Sequence, residues 1–151
     1  MRAIAACAQV DAPVEDVYAL LADLREHWRL AGRWVEPLEL GSDGGVVRLR
    51  GPLGLTRTAR TRVVNAEPPT RLAGEADAGH TRAAVSWRLR SEGETTWVTL
   101  QADVVAVGAV DRVLLVLGGR QWLTARFRTT LARLAQHATE RLHEPSPVPV
   151  G

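Results

Sequence analysis

The sequence contains no lysine: all 19 basic side chains are arginine, against 17 acidic ones, for a net charge of +2. Such a complete replacement reflects compositional bias, and so near a balance gives little long-range field to draw in a polyanion. Nucleic acid is therefore disfavoured as a partner. The single cysteine, Cys7, excludes an internal disulfide, so nothing requires an oxidising compartment. Placed among small residues in a first strand, it reads as a buried apolar side chain. No stretch approaches the roughly 20 apolar residues of a membrane span. The nearest, residues 104–117, is broken by Asp111 and Arg112. The N-terminus reaches Asp11 before building the apolar core of a signal peptide, so a soluble cytoplasmic protein is expected.

Recognisable catalytic signatures are also missing. There is no Gly-x-Ser-x-Gly elbow, no glycine-rich phosphate loop and no paired metal-ligand spacing. The histidines His27, His80, His137 and His143 are scattered, and the last two, six apart, do not share a helix face. Neither a metal nor a cofactor is implied.

What is present is 151 residues with 46% apolar and 24% charged side chains, enough for one globular domain. We place it at residues 1–143, followed by a Pro-rich tail at 144–151. Residues 2–10 alternate small and β-branched side chains and read as a strand. Pro13 suits a first helical position, Asp11 can accept from free amides, and Glu15 and Asp16 favour the positive end of the helix dipole. Val14, Val17, Tyr18 and Leu21 then form an apolar stripe. A second short helix covers residues 24–30.

From residue 34 to 106 the period changes to two. Strands are expected at 35–40, 46–50, 55–67, 71–77, 81–90 and 95–106, separated by turns at 42–45, 51–54, 78–79 and 92–93 and by the strand-ending Pro68-Pro69. Ala83, Val85, Trp87 and Leu89 share one face, as do Val98, Leu100, Ala102 and Val104. In the strand at 55–67 either face could point inward. One choice turns Arg57 and Thr61 into the core, and a bulge would reverse it. An inward Arg57 would demand a partner such as Glu36 or a ligand. From Val110 helical spacing returns, with Leu123, Phe127, Leu131, Leu134 and Ala138 on one stripe. Gly118-Gly119 inside it predicts a kink or close packing contact.

The order is α+β: a strand, two helices, a meander and one long helix whose stripe fits the concave face of a curled sheet. It resembles the START-like (SRPBCC) helix-grip superfamily, nearest to its polyketide cyclase/dehydrase and lipid-transport group. The matching residues are Val10-Asp11-Ala12-Pro13 with Glu15, Val17 and Leu20-Leu21-Ala22-Asp23, then Trp28. They continue in residues 63–72, a strand ending in Glu67-Pro68-Pro69, and in the final helix. The resemblance implies a curled antiparallel sheet of about seven strands gripping the C-terminal helix, with an apolar cavity between them.

The small residues Ala83, Ala102 and Gly118-Gly119 leave room for such a cavity, although Trp87 could fill it. Five tryptophans against one Phe and one Tyr add large apolar surface with one donor each. The candidate ligand-binding residues are Tyr18, Trp28, Arg57, Thr61, Val85, Trp87, Leu100, Ala102, Gly119, Trp122, Leu123 and Phe127. The entrance is expected near Gly118-Gly119 and Trp122.

The first functional reading is binding of a small hydrophobic or aromatic molecule. The second is an aromatase/cyclase or dehydratase using Tyr18, Arg57 and Thr61. The third is protein interaction through the arginines of the strands or the Arg-rich final helix. A homodimer is left open.

Overall fold

The computed structural model describes residues 3–41, 43–51 and 56–143. The expected turn at 51–54 falls mostly outside these residues, as does the tail at 144–151. Strand β1 (Ile4–Val10) is followed by helices α1 (Val14–Ala22) and α2 (Leu24–Ala31) and a 3₁₀ turn at Gly32–Trp34. Six strands follow: β2 (Val35–Leu40), β3 (Gly44–Arg50), β4 (Thr56–Glu67), β5 (Arg71–Asp77), β6 (Arg82–Glu92) and β7 (Thr95–Ala106). Helix α3 (Ala109–Leu114) runs through a π-helical turn at Leu115–Gly119 into α4 (Arg120–His143).

The seven strands form one antiparallel sheet in the order β1-β7-β6-β5-β4-β3-β2. Each consecutive pair from β2 to β7 is a hairpin, and β1 closes against β7 in register Ile4–Ala102 to Val10–Thr96. The sheet curls without closing, so β1 and β2 remain its edges. Pro37 lies in β2 beside a register shift between Pro37 and Glu39.

Alternation along β1 decides the place of its cysteine. Ile4, Ala6 and Val10 point inward and are buried, so the odd-numbered Cys7 points outward and is exposed. The expectation of a buried thiol is corrected by this parity. Helix α1 begins one residue later than expected. Pro13 stands at the N-cap with extended backbone, no side chain caps the helix, and Asp11 lies outside it. Its predicted stripe holds: Val14, Val17, Tyr18 and Leu21 are all buried.

Helix α4 lies mainly against β1, and also touches α2, α1 and β7, while its backbone stands off from β3–β6. That placement divides the apolar interior. The larger cluster closes one end, where Val10, Val17, Leu20, Leu21, Val98, Leu131 and Leu134 are sealed from solvent. A smaller cluster of Val35, Val47 and Ala59 sits on the far strands with Trp28 and Trp34 against it. Between the two the sheet and the final helix do not meet.

Candidate functional site

That gap is a cavity of about 360 Å³, in the range of small-molecule sites. All seven strands contribute to its floor, and most of the residues come from β4 to β7. Among these are Arg57, Ala59, Thr61 and Val63 of β4, Leu72 of β5, Ala83, Val85 and Trp87 of β6, and Leu100, Ala102 and Val104 of β7. Gly119, Trp122, Leu123, Phe127 and Thr130 line it from the final helix and the turn before it. His27 and Trp28 of α2, with Trp34, form another wall. Four of the five tryptophans therefore border one space.

The structure resolves which face of β4 points inward. Its register shift lies between Val63 and Asn65, beyond the cavity residues, so Arg57 and Thr61 remain on the inner face. Of the candidate residues, Trp28, Arg57, Thr61, Val85, Trp87, Leu100, Ala102, Gly119, Trp122, Leu123 and Phe127 line the cavity. Tyr18 does not. It is buried in the larger core cluster because α1 packs over the closed end, while α2 borders the cavity. Burial pushes its phenol above the ordinary value of 10.

Gly118-Gly119 carry the bend between α3 and α4. Gly118 has φ +121° and ψ 2°, a conformation that glycine adopts without strain from a Cβ. At Gly119 a Cβ would lie 2.7 Å from the Leu114 carbonyl oxygen. The bend places Leu114, Leu115 and Gly119 on the cavity and leaves Val110, Val113 and Leu117 facing solvent.

The charged cluster is not the one expected. Glu36 lies 3.6 Å from Arg48 and 3.1 Å from Arg50 on the surface. The partner of Arg57 is Asp111, in the first turn of α3. Arg57 Nη1 donates to Asp111 Oδ2 at 2.8 Å, and Nη2 engages Oδ1. Thr81 Oγ1 also donates to Asp111 Oδ2 and accepts from the Gly108 N–H at 3.1 Å. This bidentate, charge-assisted pairing ties β4 and the β5–β6 turn to the start of α3. It also satisfies the guanidinium within the protein, so Arg57 is not a free cation waiting for an acidic ligand. Arg48, Arg50, Arg60 and Arg62 are exposed.

The side chains of Arg57 and Asp111 are 36% and 15% exposed. Partial access to water screens the pair, so Arg57→Met is expected to cost about 1–2 kcal/mol of stability, below the usual cost of breaking a fully buried pair. Arg57→Met combined with Asp111→Leu removes the orphaned carboxylate and should regain most of that loss, as measured by urea unfolding. Additive losses in the double variant would refute the coupling.

His27 stands between two indoles. Its ring centroid is 4.9 Å from that of Trp28 and 5.4 Å from that of Trp87, both edge-on. Nδ1 lies 3.0 Å from the Leu21 carbonyl oxygen, which can only accept, so Nδ1 carries the proton. The residue is half-buried and lines the cavity. Burial lowers its pKa from 6.5, opposed more weakly by the bond to Leu21.

The sign for stability follows. As pH falls below 6.5 the unfolded chain gains a proton that native His27 refuses, so this residue's contribution destabilises the fold in acid. The slope approaches about 1.4 kcal/mol per pH unit between the unfolded and native pKa values. His27→Gln should remove that slope when unfolding is compared at about pH 7 and about pH 5.5. Carboxylates shared by both proteins cancel in the difference, and equal acid sensitivity would count against the assignment.

Trp34 and Trp122 close the wall between the 3₁₀ turn and α4. Their rings meet edge-to-face at 5.7 Å, and the Arg126 guanidinium lies 5.7 Å from the Trp122 ring centre. Sequence reasoning missed His27, Trp34, Thr81 and Asp111 as cavity residues. The signal for His27 is its place on one helix face with Leu24 and Trp28. For Asp111 it is a carboxylate interrupting an otherwise apolar run.

Comparison with known proteins agrees with this architecture. Residues 1–139 match the family model described as polyketide cyclase/dehydrase and lipid transport. No curated protein matches the chain in sequence. Among solved structures, a protein from Thermus thermophilus superposes with a TM-score of 0.73 at 19% identity, covering 93% of this chain and 99% of its own. A conserved protein of Geobacillus kaustophilus gives 0.71 at 19% identity, covering 92% and 96% respectively. The Zhui aromatase/cyclase from Streptomyces sp. R1128 gives 0.66 at 23% identity, covering 95% and 96%. Identities this low establish a common fold.

Proposed function

Because the chain belongs to the polyketide cyclase/dehydrase and lipid transport family, we propose that it binds a small, largely apolar aromatic or lipid-like molecule between its sheet and final helix. The observation that carries this reading is the cavity itself: about 360 Å³, bordered by four tryptophans, with the Arg57–Asp111 pair on its wall internally neutralised. Apolar walls supply affinity and a few polar groups supply orientation. The ligand enters beside the Gly118-Gly119 bend, where α3 rests on the sheet through Asp111 rather than through a buried apolar face.

Native mass spectrometry of freshly purified protein tests this reading, together with quenching of tryptophan fluorescence by naphthalene-sized probes. A retained apolar compound or saturable quenching is expected. An unliganded mass combined with no saturable quenching by any such probe would overturn it.

A second reading is a cyclase or dehydratase, favoured by Arg57, Thr61, Thr81 and Asp111 bordering the same space. Under it, the retained compound incubated with protein changes mass or absorbance faster than it does alone. A compound released unchanged leaves binding as the function.

A further inference from the structure

We infer that Nε2 of His27 is the hydrogen-bond acceptor by which the cavity recognises a hydroxyl-bearing ligand, a phenol or an enol. This rests on the cavity-binding reading above and assigns the atom that orients the ligand. The argument starts from the opposite nitrogen. With Nδ1–H committed to the Leu21 carbonyl at 3.0 Å, the neutral ring presents Nε2 as a lone pair. Among the described residues nothing donates to that atom. The sealed, unpartnered polar atoms are Nε1 of Trp28 and Trp34 and Nε of Arg71 and Arg126, and Nε2 of His27 is not one of them. It is therefore not sealed, and the residue that carries it lines the cavity.

The ring is also held in place. Trp28 and Trp87 flank it at interplanar angles of 64° and 78°, and the Leu21 bond opposes rotation about χ2. Its distance from the other polar cluster gives the site a direction. Thr81, which binds Asp111 from the β5–β6 turn, precedes Trp87 of β6 by six residues, about 20 Å of extended chain. The Arg57–Asp111 cluster is accordingly too remote to serve His27. A ligand with an apolar body satisfies this acceptor only by presenting a donor, such as a hydroxyl, at its leading end.

An acceptor left unpaired against an apolar surface discriminates strongly against analogues that lack the donor. Titration of tryptophan fluorescence with 2-naphthol and with 2-methylnaphthalene compares two probes of similar shape. Wild-type protein is expected to bind the naphthol about tenfold tighter or more. His27→Phe should abolish that preference while still binding the hydrocarbon.

Equal wild-type affinities, or a preference that survives in His27→Phe, would overturn the role of His27 and leave the cavity reading standing. Failure of both compounds to bind wild-type protein would overturn both. If His27→Phe does not fold, ¹⁵N spectra of histidine-labelled wild-type protein answer the question directly. The Nε2 resonance of His27 should move with 2-naphthol and not with 2-methylnaphthalene, and an unmoved resonance would reject the proposal.

Discussion

Leu134→Ala is expected to lower the free energy of unfolding by about 3–4 kcal/mol, and Leu123→Ala by about half as much. Both residues lie on the apolar stripe of α4 and lose the same atoms. Leu134 is 0% exposed in the closed end of the core, packed among side chains from α1, α2 and β1. Its truncation leaves a hole that rigid neighbours cannot fill. Leu123 is only partly buried and already borders the cavity, so it has fewer contacts to forfeit. Guanidinium unfolding with unchanged m-values would measure both losses. Equal losses would mean that the wall at Leu123 is packed as tightly as the closed end.

Ala83→Phe is expected to weaken binding of 2-naphthol by about 100-fold or more, a far larger change than its effect on folding. Ala83 points inward from β6, pairs with Val104 in β7 and lines the cavity. A phenyl ring there occupies space a ligand would use, whereas the same ring in a filled core would displace its neighbours. A urea midpoint close to wild type together with lost fluorescence quenching is the expected pair of results. Retained affinity would place the probe elsewhere on the protein.

The sheet and its inner face could be read from the sequence because strand parity is local. Once Trp87 and Leu100 are inward, Val85 and Ala102 must be inward too, and the cavity residues of β6 and β7 follow. Helical spacing exposed the stripe of α4 in the same way, and two adjacent glycines marked its bend. Local pattern stops at contacts between distant segments. Arg57 and Asp111 are 54 residues apart, and no spacing rule joins a strand arginine to a carboxylate at the start of a later helix.

Tyr18 illustrates another limit. Periodicity identifies a buried face but does not say whether that face meets packed side chains or empty space. Cys7 shows the reverse case, where the small, apolar character of its neighbours outweighed a parity that already placed it outside. His27 was legible as a member of a helix face, yet its proton position depends on a carbonyl six residues away that only the folded chain brings into reach.

The edge at β2 bears on how copies of this chain meet. An open sheet offers unpaired backbone groups along its outer strands, a template on which another copy can extend it. Pro37 has no N–H to donate, and the adjoining shift in register interrupts the even spacing that a foreign strand would need. Edge-to-edge growth through β2 is thereby blocked at its middle, and the curl of the sheet need not be closed into a barrel to resist it.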